Sequence, residues 1–474
     1  MRTNITFILL IFWAITACQK KQPPLQSLNG NWESIASGWI LTIKDSTHYS
    51  FYDTTPISCI LNRQGAFQEI EKSLRIQNDT LYLQNGVITY KFLKTDTLPD
   101  LCSTTVTAEK KADPIYNFEV FAETVKEHYA FMELNSINWK DLYTTQKEKL
   151  GSNATNVELY QVIEETLEKL NDNHAYLEAD DTTSALIDQL NTEEESEQED
   201  LPKYGDFQIA EIVAKHHLEE EMTKDSWLIQ WGKFNDTTGY IQIKAMWLYA
   251  ALDIPKSLIK QKGYVDAYVE TFNKMYEGAY IEKEVIGVAN SMDQVMNDLS
   301  DMESLIIDVR FNGGGQDAVS FEILSRFIPQ KLQVATQKLK YGVQFSPTIP
   351  LYIPATDNAY TRPVYILTSQ QTGSAAEAFS IASMAMKNVK RIGSPTSGAM
   401  STELPKTLPN GWHFSISNEI YMDNAGNCYE NKGIPVHYEL KYPEERQAFF
   451  RSIANDLKND KTRISQAIKA LQKP

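Results

Sequence analysis

The stretch Thr368-Ser369-Gln370-Gln371-Thr372-Gly373-Ser374-Ala375-Ala376-Glu377 follows an apolar run, Val364 to Thr368. It opens a helix expected over Ala375 to about Lys387. A serine at a strand-to-helix turn presents its hydroxyl. The free N–H groups of the helix start favour a developing oxyanion, and small neighbours let a peptide backbone approach. That is the chemistry of an acyl-transferring nucleophile. The same residues also spell a helix cap, because Ser374-x-x-Glu377 fits a capping box. Read locally, Ser374 is open to both roles.

Asp308-Val309-Arg310-Phe311-Asn312-Gly313-Gly314-Gly315 is the second candidate. Three glycines after a continuous apolar strand, Leu305 to Val309, expose bare backbone N–H groups. They lie near the C-terminal edge of a sheet, where open α/β sites form. No Gly-Lys-Ser/Thr follows, so this is not a Walker-type phosphate loop, and the Gly-x-Gly-x-x-Gly dinucleotide pattern is absent.

Together these motifs resemble the C-terminal-processing (tail-specific) serine peptidases and their tricorn-core relatives. The resemblance runs through Asp308-x-Arg310-x-Asn312-x-Gly314-Gly315 and Thr368-Ser369-x-x-Thr372-x-Ser374-Ala375-Ala376-Glu377. It continues in Gly393-x-x-Thr396-x-Gly398 and Tyr429-Glu430-x-x-Gly433-Ile434-Pro435, and covers about residues 113–443. It implies an α/β catalytic domain resembling the ClpP/crotonase fold, with a helical subdomain in front. It implies Ser374 as nucleophile, and an oxyanion hole made by the N–H of Gly313 or Gly314 with that of Ala375.

The resemblance also offers two bases. One branch of the family uses a Ser/Lys dyad, but Ala399 stands where that branch has lysine, and Lys387, Lys390 and Lys406 do not match it. The tricorn-like branch uses histidine and glutamate. Asp172-Asn173-His174 matches its Asp-x-His element, and Glu430 its acidic element. The implied assignment is therefore His174 as general base, with Glu430 orienting it directly or through a bridging group. Some relatives carry serine where this chain has Asn173. His437 stands where many relatives have aspartate, a second imidazole near the motif. Relatives often carry a PDZ module before the catalytic part. Only 63 residues separate His174 from Thr238, too few for a domain of roughly 80–100 residues.

These residues need elements to hold them. The chain has 474 residues, enough for two or three domains, with an ordinary globular composition of 42% hydrophobic and 23% charged residues. A net charge of -17 makes a nucleic-acid partner unfavourable. Residues 1–17 read as a lipoprotein signal peptide, with Arg2 before the apolar run Ile5 to Ile15. Ile15-Thr16-Ala17-Cys18 resembles a lipobox, so Cys18 is the expected lipidation site and 18–26 a tether. The expected location is the bacterial cell envelope, lipid-anchored to the outer membrane and facing the periplasm or the surface.

Alternating strands between turns such as Gln77-Asn78-Asp79-Thr80 predict a small antiparallel β-domain over 27–107, as a sheet or a barrel. Cys59 and Cys102 are candidates to pair within it, leaving Cys428 over. Helical periodicity marks 113–178 as the helical subdomain. Residues 179–237 read as an acidic linker and connecting segment, 238–443 as the α/β peptidase domain, and 444–474 as a C-terminal helix. His216-His217 beside Glu219 to Glu221 lack a HExxH core and read as a solvated helix face. No cofactor and no metal is expected; the expected partner is a peptide or unfolded protein substrate. Oligomeric state leaves no mark in the sequence. The alternatives are a catalytically inactive binding lipoprotein of the same fold and an acyl-CoA enzyme of the crotonase type, which export disfavours.

Overall fold

The computed structural model describes residues 28–191 and 201–472. The signal peptide, Cys18, the whole tether and residues 192–200 of the acidic linker lie outside them. Among the described residues no helix is long and apolar enough to cross a membrane.

The chain first builds a seven-stranded antiparallel sheet between Gly30–Ser34 and Ile88–Thr95. Asn78 and Asp79 both take positive φ, 51° and 58°, giving the two-residue hairpin turn that matches strand twist. Trp32, Leu41, Ile43 and Phe92 fill its buried face. The terminal strands, Ser58–Ala66 and Leu74–Gln77, do not pair with each other, so the sheet is open rather than a barrel. A Cys59–Cys102 disulfide fastens its edge.

After the short helices Asp100–Ser103 and Ala108–Ala112 come three longer ones: Pro114–His128, Trp139–Lys147 and Asn156–Leu170. Asp113 caps the first, with Pro114 beginning it. A Thr155–Glu158 capping box starts the third, and Asn171 ends it at φ 51°. Their apolar stripes, including Phe118, Phe121, Leu159 and Ile163, close over Leu404, Trp412, Phe414 and Ile416 of a later hairpin.

The central sheet has seven strands. Thr238–Ile243, Ser304–Asp308, Val364–Thr368, Val389–Gly393 and Tyr438–Glu439 run parallel in that order. Ile229–Lys233 and Glu220–Glu221 add antiparallel at the far edge. Every residue of Ser304–Asp308 and Val364–Thr368 is buried, as expected for a sheet covered on both faces. Helices Glu277–Asp298, Asp317–Ser325 and Ala375–Ala382 cover one face. Asp206–His217, Arg446–Ala454 and Leu457–Leu471 cover the other.

Three expectations are corrected here. Residues 179–237 are more than a linker: they supply the helices Asp181–Asn191 and Asp206–His217 and two strands of the central sheet. Ile209, Val213, Ile229 and Trp231 are wholly buried, and the acidic composition around them hid these short apolar runs. The C-terminal helix is two helices broken at Asn455-Asp456, where Asp456 leaves helical geometry. His217 is not solvated. It is fully buried, with Nε2 3.0 Å from the Asp460 carboxylate.

Asp460 belongs to a buried ionic network behind the glycine loop. Arg310 donates from Nη2 to Asp308 at 2.7 Å, and from Nη1 to Asp460 at 3.0 Å and to the Tyr442 hydroxyl at 3.2 Å. Removing one member of such a network strands a buried charge, at about 3–5 kcal/mol. The Asp308-x-Arg310 pair thus pins the strand end from which the glycines depart.

Candidate active site

The turn carrying Ser374 is stitched to the glycine loop. The Ser369 hydroxyl donates to the Arg310 carbonyl at 2.6 Å, the Thr372 hydroxyl to that of Val309 at 2.9 Å, and the Gly373 N–H to that of Asn312 at 3.1 Å. Held this way, Ser374 sits at φ 51°, ψ -124°, a conformation costly for a residue with a side chain. Its hydroxyl makes no capping bond. Glu377 accepts from the Thr396 hydroxyl at 2.6 Å and from the N–H of Gly398 and Ala399 at 2.8 and 2.6 Å. Burial pushes Glu377 up to about 7 against these donors. The capping box is therefore not formed, and the hydroxyl stays available.

Of the two glycines expected at the oxyanion site, Gly314 has its N–H engaged by Asn312 Oδ1 at 2.9 Å. The N–H groups of Gly313 and Ala375 have no hydrogen-bond partner. Gly314 has φ +114° and lies against Ser374, Gly373 and the Ala375 nitrogen.

His174 is 8% exposed and lines both clefts that meet at Ser374. Its main-chain N–H donates to Asp172, which also accepts from the Ser417 N–H and hydroxyl. Its Nδ1 is buried without a partner. Burial lowers its proton affinity, while the Asp172 charge works the other way. Glu430 is buried and accepts from the Met400 N–H at 3.0 Å. Burial pushes it up to about 8, and the charges of Glu377 and Asp172 add to the effect. No hydrogen bond joins the side chains of Ser374, His174 and Glu430. His437 lines neither cleft; its Nδ1 accepts from the Arg391 N–H at 3.0 Å, and burial lowers it to about 4. Cys428 is a free, partly buried thiol.

The first cleft, about 220 Å³, includes Trp39, Tyr90, Glu277, Asp317 and Glu403 in its walls. Trp39 and Tyr90 come from the N-terminal sheet, in which the sequence showed no chemistry. The second, about 490 Å³, includes Phe207, Lys244, Trp247, Phe311 and the glycine loop. Sequence reasoning missed Glu277, Asp317 and Lys244. Lys244 sits one residue past the strand Tyr240-Ile241-Gln242-Ile243, and nothing in its local pattern marks it.

Residues 237–440 match the model for peptidase family S41, and residues 110–168 match the tricorn protease C1 domain. The fold is similar to that of a candidate peptidase from Parabacteroides merdae, at 19% identity and TM-score 0.52, over 73% of this chain and 96% of the other. It is also similar to mature CPAF, at 11% identity and TM-score 0.53, over 77% and 99%. Behind its N-terminal antiparallel sheet, this chain carries over residues 237–440 a peptidase family S41 domain, that of a serine-type peptidase.

Proposed function

We propose that the protein is a membrane-anchored endopeptidase that cleaves peptide bonds through an acyl-enzyme on Ser374. One observation carries this reading: an unbonded serine hydroxyl, held in a strained turn beside the unpartnered N–H groups of Gly313 and Ala375, in a cleft shared with His174. Ser374 Oγ attacks the scissile carbonyl carbon as its proton passes to His174. The oxyanion is received by the N–H of Gly313 and Ala375. The C–N bond then breaks, His174 returns the proton to the leaving amine, and water hydrolyses the ester by the reverse path. Glu430 is read as the acidic partner of the imidazolium stage: a cation on His174 would favour its carboxylate form. Such contacts tighten when substrate is bound. The α/β domain, taken as 238–443 with the strand Ile229–Lys233 added, is of the ClpP/crotonase type. Cys18 carries the lipid that holds the protein at the cell envelope, with peptides or unfolded proteins as substrates.

A fluorophosphonate probe tests the reading. The full chain is expected to label and Ser374→Ala to fail. Labelling that survives the substitution removes Ser374 from the role. No labelling and no cleavage by either form leaves the alternative, an inactive peptidase-fold binding lipoprotein.

A further inference from the structure

Among the described residues, one lysine lines the nucleophile clefts without a direct partner for its side chain. Lys244 is 4% exposed, lines the cleft that holds Ser374, and makes no side-chain hydrogen bond or ion pair. The other deeply buried lysine, Lys406, is fully engaged, donating to Asp53 and to the carbonyls of Ser37 and Gly38. An ammonium this far buried without a direct partner gains from an anion that enters the cleft. Burial correspondingly lowers the proton affinity of Lys244.

Its place in the fold is fixed by the catalytic machinery. Two residues on, the Met246 N–H donates to the Gly314 carbonyl at 2.9 Å, and the Met246 carbonyl accepts from the Gln316 N–H at 2.8 Å. Lys244 therefore runs beside the glycine loop. The neighbouring walls, Phe207, Trp247 and Phe311, are apolar. The carboxylates whose charges reach it, Glu211 and Glu221, lie outside the cleft lining, and Glu211 is paired with Lys215. Two carboxylates share the cleft. Asp206 is paired with Arg446, and Glu403 lies where the two clefts join, accepting from the Tyr176 hydroxyl at 3.5 Å. On the opposite side of Ser374 the signs reverse: Glu277, Asp317 and Glu403 line that cleft, and no lysine or arginine does.

We propose that Lys244 forms a carboxylate-recognising subsite, which holds an anionic group of the peptide in the Phe207–Trp247 cleft beside the scissile bond. The proposal rests on the reading of Ser374 as nucleophile. The carboxylate comes either from the end of the substrate chain or from an aspartate or glutamate side chain. A charge-assisted bond from a buried ammonium would both bind the peptide and fix its direction across Ser374.

The test uses paired fluorogenic peptides that differ only in the carboxylate. One arm compares a free C-terminus with its amide, the other Asp or Glu with Asn or Gln beside the scissile bond. In one arm kcat/KM is expected to favour the carboxylate by roughly tenfold or more, and that arm identifies the source. Lys244→Met should bring the ratio close to one, and Lys244→Arg should restore part of it. A wild-type protein that cleaves both members of each pair alike overturns the proposal, whether or not the variants fold. So does a ratio that survives Lys244→Met. The same pairs are measured for binding to Ser374→Ala by fluorescence anisotropy, which needs no turnover. A chain inert to peptides then fails as a peptidase, while the Lys244 subsite stands or falls on the binding ratio.

Discussion

A methyl group on Gly314 would lie 2.6 Å from the Cβ of Ser374. Gly314 also has φ +114°, outside the range an L side chain adopts comfortably. Gly314→Ala is therefore expected to push the nucleophile turn out of place. It should destabilise the fold by more than about 2 kcal/mol and remove fluorophosphonate labelling. Thermal melts and labelling of the same sample check both.

The strain at Ser374 predicts a trade between activity and stability. Ser374→Ala keeps a Cβ at φ 51°, ψ -124°, whereas Ser374→Gly relaxes it. Both should be inactive. The glycine variant should be the more stable of the two by roughly 1 kcal/mol, after its larger unfolded-state entropy is deducted. Equal melting temperatures would argue that the turn is unstrained.

Glu430 and His174 set the expected pH profile. Burial keeps His174 neutral below its ordinary 6.5, so its limb lies on the acid side. Glu430 is pushed up to about 8, so the carboxylate that favours imidazolium appears only as pH rises through that value. In wild type, kcat/KM should climb across pH 7–9, roughly the width of one titration. Glu430→Gln should lower the rate and flatten this limb.

Glu419 offers a stability test away from the nucleophile. It is 2% exposed, accepts from Gln337, and burial raises it to about 7. A carboxyl whose folded value exceeds its unfolded one binds more protons when folded. Its stabilising contribution is thus complete below about 4.5 and lost as pH rises toward 7. Glu419→Gln should match wild type near pH 4.5 and exceed it at pH 8, by on the order of 2–3 kcal/mol.

Lys406 ties the N-terminal sheet to the catalytic domain through Asp53 at 2.9 Å. Lys406→Met strands the Asp53 carboxylate and should cost about 3–5 kcal/mol. Because Trp39 and Tyr90 wall the cleft, KM should rise as the sheet loosens. Adding Asp53→Asn should recover part of the stability, a coupling that a double-mutant cycle measures.

What the sequence made legible was local. The buried strand Val364–Thr368 and the small residues after it announce a strand–turn–helix, and three glycines announce an exposed backbone. Both signals lie within a dozen residues. The direction Glu377 takes was not local: its partners, Thr396 to Ala399, arrive on another loop, and they decide between cap and nucleophile. Lys244, Glu277 and Asp317 were invisible for the same reason, since each enters the site only through packing of distant segments. Trp39 read as an ordinary strand residue, because its second face meets the cleft only after the domains dock. His217 read as solvent-facing because Asp460, its partner, lies 243 residues away.

That long reach has a consequence for when the enzyme can act. The cleft around Ser374 takes its walls from Trp39 near one end of the chain and Pro405 near the other. A ribosome adds roughly 5–20 residues per second, so tens of seconds part the emergence of these two walls. During that interval no partial chain holds a finished cleft. A chain ending before residue 405 therefore lacks one wall of this cleft.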